Sequence, residues 1–169
     1  EAQAEFHSII GQRLWKYYKS SDKEAWRLIF TADQLCKGKL MLRDQAEKDE
    51  VSELIIQAAV ELRKAASFDS AAEFCRNAID LLGHESWERC YKTTLKLYDL
   101  AAEMEFCSGS QDKCGERVHQ CLERAQCLED QYNAYWILVE NLASQRRFDS
   151  AVDAGYSLLK KMKLSRLPT

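Results

Sequence analysis

Phe68-Asp69-Ser70-Ala71 opens an apolar-periodic run and returns unchanged as Phe148-Asp149-Ser150-Ala151, 80 residues later. The surroundings agree. Leu62, Phe68, Ala71, Cys75 and Ala78 are matched at the same spacing by Leu142, Phe148, Ala151, Gly155 and Leu158. Small residues recur where two helices would have to approach closely. A repeat at fixed offset decides the fold class before any local reading does. Between the two copies lies a weaker third, centred on Cys114, Val118 and Cys121; Cys114 falls 43 residues after Ala71 and 37 before Ala151.

The 169 residues amount to one domain or one block of stacked repeats, long enough to bury a sizeable core. With 46% hydrophobic and 30% charged residues the composition is that of an ordinary water-facing protein. The net charge of −3 argues against a dedicated nucleic-acid binder, which would show a basic domain. No apolar run approaches the roughly 18 residues of a membrane span. The opening Glu1-Ala2-Gln3-Ala4-Glu5 lacks a basic n-region, so no secretory signal is expected. Seven cysteines, an odd number, read as reduced and mostly buried thiols of an intracellular, cytoplasmic protein. A single proline, Pro168, and only six glycines leave little material for the turns of a β-rich fold. Helices throughout are the expectation.

Eight helices are expected. The first covers about residues 2 to 18 and buries Phe6, Ile9, Ile10, Leu14 and Tyr17 on one stripe. Gly11 inside it permits a close helix contact. Ser20-Ser21-Asp22 is a turn and cap cluster, and the second helix carries Trp26, Ile29, Phe30 and Leu35 and stops at Gly38. Residues 44–53 form the solvated start of a third helix with Leu54, Ile55, Ala58, Ala59 and Leu62 on its buried face. Ser67 caps the fourth, whose core residues are Phe68, Ala71, Ala72, Cys75, Ala78, Ile79 and Leu82, and Gly83 ends it. Ser86 caps a long fifth helix with Trp87, Tyr91, Leu95, Tyr98, Ala101, Ala102 and Phe106 on one stripe, ending near Ser108-Gly109. Cys114, Val118, Cys121, Leu122 and Ala125 mark the sixth. Glu129-Asp130 begin the seventh, with Tyr135, Leu138, Val139 and Leu142. The eighth holds Phe148, Ala151, Gly155, Leu158 and Leu159 and ends in Lys160, Lys161 and Lys163, which suits a helix C-terminus.

Short turns between helices make antiparallel pairs. The repeat lengths resemble those of tetratricopeptide (TPR) proteins, with degenerate units over residues 52–85, 95–127 and 132–164 behind a first helix pair at 1–43. The TPR pattern of a small residue, an aromatic opening the second helix and then spaced small and bulky residues is matched by Ala59, Phe68, Ala71, Cys75 and Ala78. It is matched again by Val139, Phe148, Ala151, Gly155 and Leu158. The middle unit supplies Ala102, Gln111, Cys114, Val118 and Cys121, with Gln111 replacing the aromatic, and the repeat-ending proline is absent. The resemblance implies a single all-α, right-handed α-solenoid domain over 1–169. The whole chain also resembles the TPR-like helical region of large signalling proteins that join a protein or histidine kinase to an AAA-type (STAND-class) ATPase. The likeness rests on His7-Ser8-Ile9-Ile10-Gly11, the segment 29–35, Leu81-Leu82-Gly83, Trp87, and Ala102-Glu103-Met104-Glu105, in that order. It implies a regulatory or scaffolding piece of a larger signal-transduction protein.

No chemistry stands out. The chain has neither Gly-x-x-x-x-Gly-Lys-Ser/Thr nor Gly-x-Gly-x-x-Gly, so no nucleotide cofactor is expected. Cys107, Cys114, Cys121 and Cys127 with His119 are the one cluster resembling metal ligands. Their gaps are wider than the Cys-x₂₋₄-Cys of structural zinc, and Cys114 and Cys121 share a helix face as a packed core stripe does. No metal and no catalytic residue is expected; a redox or disulfide role for the cysteines is the minority reading. His7, His84 and His119 are isolated. Trp15, Trp26, Trp87 and Trp136 read first as core and second as partner anchors. A non-catalytic protein–protein interaction module outranks a small enzyme with an unrecognised site, and outranks the TPR region of a transcription regulator. From the repeat register the face available to a protein partner comprises Ile56, Val60, Arg63 and Lys64; Lys96, Asp99, Glu103 and Phe106; and Asn133, Trp136 and Glu140. Its acids point to a basic or mixed-charge ligand, with Trp136 as anchor.

Overall fold

The computed structural model describes residues 2–20 and 24–163. Among them every regular element is helical: α1 (Ala2–Ser20), α2 (Ala25–Lys37), α3 (Gln45–Lys64), α4 (Phe68–Leu82), α5 (Ser86–Arg89), α6 (Tyr91–Cys107), α7 (Gln111–Arg124), α8 (Tyr132–Ser144) and α9 (Phe148–Lys161). Short 3₁₀ turns stand at Lys39–Met41 and Glu129–Gln131. The chain is thus all-α. Ser21 and Asp22 of the expected cap cluster, and Pro168, lie outside the described residues. The chain divides inside α6 into two compact units, Glu1–Leu97 and Tyr98–Thr169.

In the first unit α1 packs on α2, α2 on α3 and α3 on α4. Glycine sets the first of these contacts. A Cβ on Gly11 would stand 2.8 Å from Leu35 Cδ2, and one on Gly38 would stand 2.5 Å from the Ser8 backbone nitrogen. Gly38 therefore ends α2 for want of room beside α1, not as a left-handed cap; its φ is −94°. The core is the meeting of α3 and α4: Val51, Ile55, Ala58 and Ala59 against Ala71, Cys75 and Ala78, all fully buried. Lys39 closes the end of α4 with 2.8 Å bonds to Asn77 and Asp80.

The long fifth helix expected from Ser86 is two helices. Cys90 leaves helical dihedrals (φ −139°, ψ 54°) between α5 and α6. The reason is what holds α5. Arg89 clamps Asp49 of α3 through two hydrogen bonds of 3.0 and 2.8 Å and also donates to the Leu82 carbonyl. Ser86 Oγ donates to the Gly83 carbonyl at 2.7 Å, so Ser86 does not cap a helix as expected. Burial raises the Asp49 carboxyl, but the hydrogen bonds from Arg89 and Gln45 outweigh it and hold the group below the usual carboxylate range. The one-turn α5 is thus tied to the end of α4 and to α3, and the chain must bend before α6 can start.

In the second unit α7 packs on α8 and α8 on α9. Ala101, Met104, Cys114, Val118, Cys121, Ala134, Ile137 and Leu142 form its core.

The sequence repeat has a local cause. Ala66, Gly109 and Arg146 all have positive φ, at 55°, 77° and 59°. Each follows the last turn of a helix, and the next residue bonds back to the carbonyl five residues earlier: Ser67 to Leu62, Ser110 to Glu105, Arg147 to Leu142. This is the left-handed helix-ending turn in which orphan carbonyls find donors. Among the described residues it occurs three times, five residues before Ala71, Cys114 and Ala151, which are buried in turn. The three copies read from the sequence therefore share one turn. Ser67, Ser110 and Arg147 stand at the helix starts without making a side-chain cap bond, so the expected Ser67 cap is positional only.

Several residues expected in the core are exposed: Phe6, Ile9 and Tyr17 on α1, Trp26 and Phe30 on α2, and Phe148 on α9. Of the tryptophans, Trp87 is buried, whereas Trp26 and Trp136 are 62% and 67% exposed. α1 has a single packed side, set by Gly11 and Ser8, so its other apolar stripe faces outward. Gly155, matched with Cys75 in the repeat, makes no close contact; nothing lies within 4 Å of a Cβ placed there.

Candidate interaction surfaces

The residues proposed from the repeat register divide between the two units. In the first, Ile56 and Val60 stand one turn apart on α3 and line a hollow of about 370 Å³ with Tyr18, Leu28, Gln57 and Glu61. Lys64 lies outside it and donates to Glu61 at 2.7 Å. Arg63, half-buried, and Lys96, exposed on α6, do not line it either.

In the second unit the carboxylates gather. Asp99 and Glu103 are one turn apart on α6, and Asp130 lies in the turn before α8; both act on Asp99 through space. Burial is the main cause that raises the Asp99 carboxyl above its usual range. Hydrogen bonds with Asn133 and Cys121 oppose this, and the charges of Asp130 and Glu103 add to it. The buried Oδ1 of Asp99 accepts no hydrogen bond. Asn133 belongs to α8, whose next outward turns present Trp136 and Glu140, both exposed. Phe106 is half-buried at the end of α6. The structure thus joins Asp99, Glu103 and Asn133 into one acidic patch. Trp136 and Glu140 continue it along the same face of α8, at i, i+3 and i+7.

Beneath α6, Glu105 is fully buried, with the Arg117 guanidinium 3.8 Å away. Arg117 also stacks over the Tyr98 ring at 5.6 Å and donates to Gln120. These contacts tie α7 to α6 under the patch. Cys121, buried beside Asp99, has its thiol raised by burial first and by Asp99 next.

The exposed aromatics of α2 build a surface that the repeat register does not reach. Trp26, Ile29, Phe30, Asp33, Leu62, Ser70 and Phe74 line a hollow of about 570 Å³. Trp26 is held from two sides: its indole N–H donates to Glu24 at 2.9 Å, and Arg27 stacks 5.3 Å from its ring. The signal was present in α2, where apolar residues occupy more than one face: Leu28, Ala32 and Leu35 turn inward and Trp26 and Phe30 outward.

Cys36, Cys75, Cys114 and Cys121 are buried, Cys90 is half-buried, and Cys107 and Cys127 are exposed, so the cysteine set is less uniformly buried than expected. Among the described residues no three His, Cys, Asp or Glu side chains gather as metal ligands would. No helix of the described residues is long and apolar enough to cross a membrane. No family model, curated protein or solved structure matches the chain.

Proposed function

We propose that this chain is a non-catalytic protein-interaction module that takes a basic peptide segment on the acidic face of its second unit. Asp99, Glu103 and Asp130 meet the cations, and Trp136 is the apolar anchor. One observation carries the reading: a tryptophan 67% exposed, one turn from Asn133, which bonds the partly buried Asp99. Large aromatics left in water beside desolvated polar groups are what binding anchors look like before a partner arrives. The recurrent turn at Gly109 and Arg146 supports reading the helices of the second unit as TPR-like pairs that frame that face. The resemblance to the helical regions of kinase-linked STAND ATPases favours a role in signal transduction, with a neighbouring domain as the source of the basic segment.

The test is fluorescence anisotropy with a labelled Lys/Arg-rich peptide containing one central leucine. Wild type is compared with Trp136→Ala, Glu103→Gln and the double variant Trp136→Ala, Glu103→Lys, each checked to melt normally. Affinity is expected to fall tenfold or more in the double variant and to weaken steeply with salt, as exposed charge pairs do. Equal affinity for wild type and a folded double variant overturns the proposal.

A further inference from the structure

We infer that α9 is a self-pairing surface: the outward stripe of α9 packs antiparallel against α9 of a second copy of this chain. The inference stands apart from the acidic face of the proposed function. It begins with the repeat. Helices α4 and α9 correspond position by position, yet the same positions have opposite fates. Ala72 and Leu82 are buried, at 1% and 3% exposure, whereas their counterparts Val152 and Met162 are 55% and 36% exposed. At two positions the side chain changes the wrong way for water, while the buried Leu81 becomes the exposed Lys161. Ala72 becomes the larger apolar Val152, and Arg76 becomes Tyr156, which is 56% exposed.

At 3.6 residues per turn Phe148, Val152, Tyr156 and Leu159 form one stripe, and Asp149, Asp153 and Lys160 line one edge of it. The charges choose the partner and its direction. Two copies related by a two-fold axis near Ala154 bring like edges together with the helices running oppositely. Val152 then meets Tyr156 of the second copy, and Asp149 meets Lys160 of the second copy, twice by symmetry. In a parallel arrangement the two-fold axis runs along the helices and puts like edges on opposite sides of the contact, so Asp149 and Lys160 of the two copies do not meet. Gly155 beside the axis leaves the backbone uncovered, which lets the helices approach closely. Asp153 falls near the axis beside its own symmetry mate and opposes the pairing. Helix α9 has 14 residues, about 21 Å of contact. Such a contact falls short of the roughly 800 Å² per partner of a stable dimer, so the pairing is weak and reversible.

Sedimentation velocity of the intact chain over a hundredfold concentration range tests this. The weight-average mass should climb from monomer towards dimer. Phe148→Ser with Tyr156→Ser should hold it at monomer while the melting point stays put, because both side chains are exposed. Asp149→Lys alone, or Lys160→Asp alone, should weaken association about tenfold. The swap Asp149→Lys with Lys160→Asp should restore it, and Asp153→Ser should tighten it. Trp136→Ala should change nothing, which separates failure here from failure of the acidic face. A chain that is monomeric throughout, a dimer indifferent to Phe148→Ser with Tyr156→Ser, or a charge swap that does not restore association overturns the inference.

Discussion

Adding one methyl group should move the stability of this protein in opposite directions at Gly38 and Gly155. At Gly38 the new Cβ would sit 2.5 Å from the Ser8 nitrogen and 2.6 Å from its Cα, atoms of the α1 backbone that no rotamer change can move aside. The φ of −94° is open to any residue, so the cost is steric overpacking and not backbone strain. Overpacking costs roughly 1–3 kcal/mol, and the upper end applies where backbone must shift. For a unit of this size each kcal/mol is worth about 4–8 °C, so Gly38→Ala should lower the melting point of the first unit by about 10–20 °C. At Gly155 the Cβ meets nothing within 4 Å. The position is interior to α9, where alanine is favoured over glycine by about 1 kcal/mol, so Gly155→Ala should raise the melting point of the second unit by about 4–8 °C. Gly11→Ala should fall between them, because its nearest atom is the Leu35 side-chain tip at 2.8 Å. Calorimetry resolves the two units if they melt separately, and circular dichroism at 222 nm follows the sum. Similar small shifts at Gly38 and Gly155 would refute the packing of α1 on the end of α2.

Other consequences follow from the same structure. Ala71→Glu places a charge in the fully buried seam of α3 and α4 and should destabilise by several kcal/mol, while the exposed Glu73→Ala should stay within about 0.5 kcal/mol, both read from urea midpoints. Arg146→Gly relieves a left-handed non-glycine residue and should add about 1 kcal/mol to the second unit, measured by thermal melting. Burial raises the thiols of Cys36 and Cys114 to about 12, each helped by a nearby carboxylate. Their folded values lie above the unfolded ones, so the stability they contribute is intact below about pH 9 and declines as pH rises towards 12. A Cys36→Ala variant should show a shallower alkaline loss in urea midpoint than wild type; identical slopes would contradict it.

How much of this was legible depended on the kind of signal. The Phe-Asp-Ser-Ala identity located α4 and α9, and Ala71, Cys114 and Ala151 are buried where the repeat put them. Periodicity found the helices because each pairs one apolar face with a neighbour. It could not find the break at Cys90, which depends on Arg89 reaching Asp49, 40 residues earlier. Nor could it separate buried from exposed aromatics. Trp87 and Trp136 look alike in sequence, and only the number of neighbours around each helix decides which is covered. The turn residues were hidden for another reason: Ala66 and Arg146 occupy positions where glycine is the usual signal. For the candidate site, Asp99, Glu103 and Asn133 were legible from register. Asp130 was not, because it enters from the turn ahead of α8. The Trp26 hollow was signalled only by apolar residues on two sides of α2.

The central claim is that a basic segment docks across Asp99, Glu103 and Asp130 beside Trp136. Its most direct measurement is a ¹⁵N–¹H correlation spectrum of the intact chain during titration with the Lys/Arg-rich peptide. The Trp136 indole N–H is identified by its loss in Trp136→Phe. The account predicts saturable shifts of that indole and of the Asn133 side-chain amide, fading as salt is raised, with the Trp26 indole unmoved. Saturable binding that leaves the Trp136 indole and Asn133 in place would contradict it.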